Sequence, residues 1–165
     1  MQSTAVIPLI SIIGILVFMA LVSWVFQYRK KEKNKRLLRA FDGFVEQHNL
    51  IIDKQQTLNK NMIGIDRENL KLLFIDNSKP NPENHLVTLN DLASCRLVKK
   101  RNKQNGYIGS IALHFTFKQK NKPAIILPVY NEFKDDLYKM MRLSKKAAYW
   151  EKTINLFREP NRIAH

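Results

Sequence analysis

Residues 110–118 read SIALHFTFK, and their side chains alternate: Ile111, Leu113, Phe115 and Phe117 are apolar, while Ala112, His114, Thr116 and Lys118 are small or polar. Period-two alternation of this length predicts an antiparallel strand with one buried and one open face. Short apolar runs of similar kind lie on either side, at residues 50–53, 62–66, 70–76, 86–89, 94–101 and 124–130. Turn chemistry separates them. Asp66, Arg67, Glu68 and Asn69 suit a tight hairpin, residues 78–84 hold Pro80 and Pro82, and residues 102–106 end in glycine. Seven short strands at this spacing predict a small antiparallel sandwich or barrel.

Beyond the strands the period changes. No Gly or Pro occurs between residues 132 and 157, and Phe133, Leu137, Met140, Met141, Ser144, Ala147, Ala148, Glu151 and Ile154 form a helical stripe. Asn131 is the expected cap, with Glu132, Asp135 and Asp136 in the first turns where the helix dipole favours acids. Pro160 ends the helix, and residues 158–165 read as a flexible tail. The expected class is therefore α+β, a seven-stranded antiparallel barrel capped by a C-terminal helix over residues 50–157.

The N-terminal region is of another kind. The first 28 residues carry no charged side chain, and residues 5–26 read AVIPLISIIGILVFMALVSWVF. As a helix this run would be about 33 Å long, against a bilayer core of ~30 Å, so a transmembrane helix is expected over residues 5–27 after a short external tail at 1–4. Trp24 and Tyr28 sit where aromatic rings favour the headgroup level, and Arg29, Lys30, Lys31, Lys33, Lys35 and Arg36 follow at once. That asymmetry predicts a single pass through an inner membrane with the N-terminus outside and the C-terminal domain in the cytoplasm. Residues 28–49 are expected to form a basic amphipathic juxtamembrane helix. Leu37, Leu38, Phe41, Phe44, Val45 and His48 share one face, which either lies on the membrane or docks on the following domain.

The formal charge is +14, and residues 92–131 hold eight basic side chains and no acid. Anionic headgroups are the expected partners, weakly held at about 1 kcal/mol per Lys or Arg near the surface; nucleic acid is the less favoured alternative. The lone Cys95 excludes an intramolecular disulfide. Its place in an alternating strand marks a small buried hydrophobe. His48, His85, His114 and His165 have no spacing that sets two ligands on one helix face. Asp135 and Asp136 are adjacent, so a helix would point them apart. No catalytic residue, metal site or cofactor is assigned, and an enzyme is not expected.

Seven antiparallel strands closed by one helix, with the run NMIGIDRENLKLLFID as second and third strands, resemble a pleckstrin-homology-like domain. The whole chain is similar to uncharacterised bacterial proteins with one N-terminal span and such a domain in the cytoplasm. The resemblance implies binding of phosphoinositide headgroups, proteins or peptides. It also implies a site at one open end, on the loops that correspond here to residues 54–61 and 77–85. Lys54 and Lys60 fall in the first and Lys79 in the second, short of the family's K-x-(K/R)-x-R cluster. Lys99, Lys100 and Arg101 at one end of a hairpin, and Lys120 and Lys122 at the other, complete the candidate lipid or partner contacts. Two functions are expected from these features. One is a membrane-anchored scaffold that recruits a protein partner, of unassigned identity, aided by non-selective lipid contact. The other is a structural accessory subunit of an inner-membrane complex, assembled through its transmembrane helix.

Overall fold

The computed structural model describes residues 6–78 and 82–158, and for residues 6–16, Phe26, Lys30 and Lys33 the backbone alone. Helix α1 (Val6–Gln47) precedes strands β1 (Lys54–Leu58), β2 (Asn61–Asp66), β3 (Lys71–Asp76) and β4 (Glu83–Thr88). A single 3₁₀ turn (Leu89–Asp91) leads to β5 (Leu92–Arg101), β6 (Ile108–Phe117) and β7 (Ile125–Asn131), and helix α2 (Leu137–Arg158) follows. The chain divides into two compact units, Met1–Ala40 and Phe41–His165, with the boundary inside α1.

In the first unit, α1 continues through the basic block, so the expected separation into a span and a second helix is replaced by one helix. Trp24 stacks on Tyr28 with centroids 5.8 Å apart, and Glu32 pairs with Arg36 one turn on at 3.5 Å. Among the described residues no helix is long and apolar enough to cross a membrane. The expected transmembrane helix is corrected accordingly, and the single-pass, inner-membrane placement built on it has no support in the described residues. The expected external tail at 1–4 lies outside those residues, as does the expected flexible tail at 158–165 apart from Arg158, which is the last residue of α2.

The second unit opens with the last turns of α1. The Leu50 amide donates to the Val45 carbonyl at 3.0 Å and the Asn49 amide to Glu46 at 3.2 Å, with Asn49 at φ 49°. This is a Schellman stop with asparagine in its left-handed position. Here the sequence expectation of a strand at residues 50–53 fails for a physical reason. Leu50 is buried as part of the helix stop, and the strand forms instead from the polar run KQQTL through its ladder with β2.

Phe41, fully buried, lies against β2 at Gly64, where an added Cβ would meet the ring tip at 2.5 Å and Ile52 at 3.3 Å. The amphipathic end of α1 thus docks on the sheet. Gly64→Ala should cost about 1–3 kcal/mol through overpacking. The cost should shrink in a Phe41→Leu background, and a urea double-mutant cycle with no coupling would refute the contact.

The strands form two separate antiparallel sheets, ordered β1-β2-β3-β4 and β5-β6-β7. No ladder joins β4 to β5 or β7 to β1 among the described residues, so the expected closed barrel is corrected to two sheets. Alternation in a strand reports one buried face, and that face can be covered by a second sheet as readily as by closure. The inner faces meet in a core that includes Ile63, Ile65, Leu72, Phe74, Leu113, Phe115 and Leu127, with Leu143, Ala147, Trp150 and Ile154 from α2. In β6, Ile111, Leu113, Phe115 and Phe117 are all buried and Thr116 is exposed, as the alternation predicts.

Asp66, fully buried, fixes the hairpin between β2 and β3. Its carboxylate accepts from the Ile51 amide at 2.9 Å and from the amide and side chain of Asn69, both at 2.8 Å. Burial pushes the acid up, but the hydrogen bonds from Asn69, Ile51 and Glu68 outweigh it and hold it below its ordinary 3.8. A depressed carboxyl stabilises fully above its unfolded pKa of about 4, and the contribution is lost as pH falls through the folded value. Asp66→Asn sets an amide donor against donors and should cost about 1–3 kcal/mol at neutral pH. Urea unfolding should show the gap from wild type narrowing below pH ~4. A gap independent of pH would refute the role.

Candidate binding surfaces

At one end of the second unit a two-residue turn, Asn59 and Lys60, joins β1 to β2, with Asn59 in the left-handed region at φ 61°. The Asn59 side chain donates to Asp135 at 2.8 Å, and the other oxygen of Asp135 accepts from the Asn131 amide at 2.9 Å. Buried Asn61 donates to the Pro128 carbonyl and accepts from the Asn77 amide. These bonds tie the turn to the segment after β7. Residues 131–136 therefore form a turn, and α2 begins at Leu137, five residues after the expected start.

A shallow groove of ≈ 190 Å³ opens beside this knot, bordered by Lys60, Ser78, Tyr130 and Lys134. The Tyr130 side chain is buried and its hydroxyl has no hydrogen-bond partner among the described residues. Burial, then the nearby Glu132, Asp135 and Asp136 carboxylates, push its phenol up. With Asn61 and Asp135 already engaged and the Tyr130 hydroxyl buried, the groove offers a ligand chiefly the ammonium groups of Lys60 and Lys134.

The structure separates the basic residues singled out in the sequence. Arg29, Lys31, Lys35 and Arg36 are exposed on α1, whereas the side chains of Lys30 and Lys33 lie outside the described residues, as does all of Lys79. Lys54 opens β1 rather than lying in a loop, and its ammonium donates to the Tyr149 hydroxyl of α2 while standing 4.5 Å from that ring's centroid. The Lys54 bond holds the Tyr149 phenol below its ordinary value. Lys60 alone of the first-loop pair borders the groove. Register pairs Leu92 with Phe117 and Arg101 with Ile108. Exposed Lys99, Lys100 and Arg101 therefore stand about 30 Å of strand away from Lys120 and Lys122. Lys122 caps the Phe117 ring at 4.2 Å. No pocket gathers these charges among the described residues.

Cys95 is buried on β5, and burial first, then Glu151, push its thiol up to about 12, which keeps it a neutral packing group near pH 7. Its backbone is engaged as well. The amide donates to the Asn155 side chain at 3.1 Å, its carbonyl accepts from the same side chain at 2.7 Å, and the Leu97 amide donates to Glu151 at 2.7 Å. Among the described residues no cluster of three His, Cys, Asp or Glu side chains could hold a metal ion.

The surface that sequence reasoning missed is the outside of α2. The expected stripe placed Phe133, Leu137 and Met141 inward, yet they are 86%, 64% and 66% exposed, beside Tyr138 at 76%. Of the stripe, Ala147 and Ile154 are buried as expected, and Leu143 and Trp150, outside it, complete the buried face. Trp150 decides this phase, because its large ring is fully enclosed and its indole N–H reaches Gln56 of β1 at 3.0 Å. The sequence signal lay in Tyr138, Arg142, Lys145, Tyr149, Lys152 and Leu156, spaced four, three, four, three and four apart with no acid among them.

No family model, no curated protein and no solved structure matches this chain.

Proposed function

We propose that the chain is a non-catalytic binding module that recruits a protein partner through the start of α2. The observation that carries the reading is the exposed set Phe133, Leu137, Tyr138 and Met141, four large side chains clustered within nine residues. Exposed apolar groups scattered singly are ordinary, whereas a contiguous patch of aromatic, Leu and Met side chains has the composition of an interface core. Basic side chains in several separate places add weak, non-selective attraction to anionic surfaces, lipid headgroups included. Assembly through a spanning helix is not pursued, since no described helix is long and apolar enough for one.

A photo-crosslinking side chain at Tyr138 should trap a defined partner in cells, and the same group at exposed Thr116 should not. Equal trapping at both positions, or none at Tyr138, would overturn the reading. Sedimentation with phosphatidylglycerol vesicles should be weak and should fade between ~0.05 and ~0.3 M salt.

A further inference from the structure

The exposed side of α2 is a ribbon about 27 Å long. Tyr138, Arg142, Lys145, Tyr149, Lys152 and Leu156 run along its centre, and Leu137, Met141 and Ala148 fall in a line beside them at helical spacing. All nine side chains are exposed. Acids near the ribbon are already engaged. Glu151 turns inward to the Leu97 amide, Asp136 pairs with Lys139 at 2.5 Å, and Asp135 bonds Asn59 and Asn131. Arg142, Lys145 and Lys152 have no acidic partner among the described residues. Lys54 adds a fourth cation over the Tyr149 ring.

We infer that the partner presents an acidic amphipathic helix that lies along this ribbon, its apolar seam on Leu137 and Met141 and its carboxylates facing Arg142, Lys145 and Lys152. The inference rests on the docking surface proposed above and names the chemistry of its occupant. Two features favour a helix of this kind. The apolar and basic lines run parallel over several turns, which matches the two faces of an amphipathic helix. An acidic flank meets a surface with no unpaired acid of its own, so charge steers encounter and selects against basic partners. The large apolar groups gather at one end, where a partner's anchoring side chains would be desolvated, and the cations border them as a polar rim.

The test pans a displayed library of amphipathic helical peptides, unbiased in charge, against the full chain and its variants. Selected peptides should be rich in Asp and Glu and should lose binding to L137S/M141S. Arg142→Glu with Lys145→Glu should weaken them by about tenfold or more, and salt should weaken them further. The amide spectrum of each variant checks that these exposed substitutions leave the fold intact. Peptides that depend on Leu137 and Met141 but show no acidic bias would overturn the acidic partner and leave the docking surface standing. Peptides indifferent to L137S/M141S, or no selectable peptide, would overturn both. Shifts of α2 amide resonances with phosphatidylglycerol vesicles in that last case would reassign the face to lipid.

Discussion

Phe115→Ala should destabilise the second unit by about 3–5 kcal/mol, a large share of the 5–15 kcal/mol that holds an ordinary domain folded. Phe115 is fully buried near the C-terminal end of β6 and stacks on Phe74 across the two sheets, with centroids 4.9 Å apart and planes 13° from parallel. Phe74 in turn stacks on His85 at 4.7 Å. Removing one ring therefore opens a cavity and breaks an aromatic pair that adds about 0.5–1.5 kcal/mol beyond burial. Thr116→Ala, one residue along on the open face, should cost well under 1 kcal/mol by the range usual for surface sites, since its hydroxyl bonds only Ser94 among the described residues. Urea melts of the pair decide the matter. Equal losses would mean the register is displaced by one residue, because a slip exchanges the two faces.

Trp150→Ala should be as severe, at about 3–5 kcal/mol, and for two reasons rather than one. The ring is the largest side chain enclosed in the core, and its N–H is held by Gln56 of β1. Trp150→Phe separates the contributions. It keeps most of the volume but removes the donor to half-buried Gln56, and should cost about 0.5–1.5 kcal/mol, the net contribution of one hydrogen bond. Chemical denaturation followed by far-UV dichroism gives both values. A tolerated Trp150→Ala would show that α2 is not anchored through this residue.

How legible the fold was depended on what each residue is asked to do. In β6 every second residue is large and apolar, the strand lies between two neighbours, and its burial follows the sequence residue by residue. The Asp66 hairpin was equally plain, because the turn chemistry is local. By contrast β1 is written in Lys, Gln and Thr, and only its ladder with β2 makes it a strand. Separation into two sheets was not readable, since alternation reports burial and not which strand provides it. The buried side of α2 was read only in part: the stripe holds Ala147 and Ile154 correctly, but it has Ser144 and Ala148 in place of Leu143 and Trp150, because volume and not spacing chose between them. The candidate site followed from that error. Its basic residues were visible one by one, but their placement outward together with Leu137 and Met141 depends on the phase. The hairpin's separation of Lys99 from Lys122 was legible in the chain and holds, whereas the tie of Lys54 to Tyr149, 95 residues on, was not.

The bonds from Glu151 and Asn155 to the backbone of β5 reach beyond the energy they contribute. β5 is the outermost strand of its sheet, and a bare outer strand is a template on which another chain can add itself. Two side chains of α2, one helical turn apart, occupy the amides and carbonyl where such addition would begin. The helix whose outer side is proposed to receive a partner thus covers, with its flank, part of one sheet edge. Displacing α2 would free the Cys95 and Leu97 amides and the Cys95 carbonyl together, so one movement of these 22 residues would turn a capped edge into an open template.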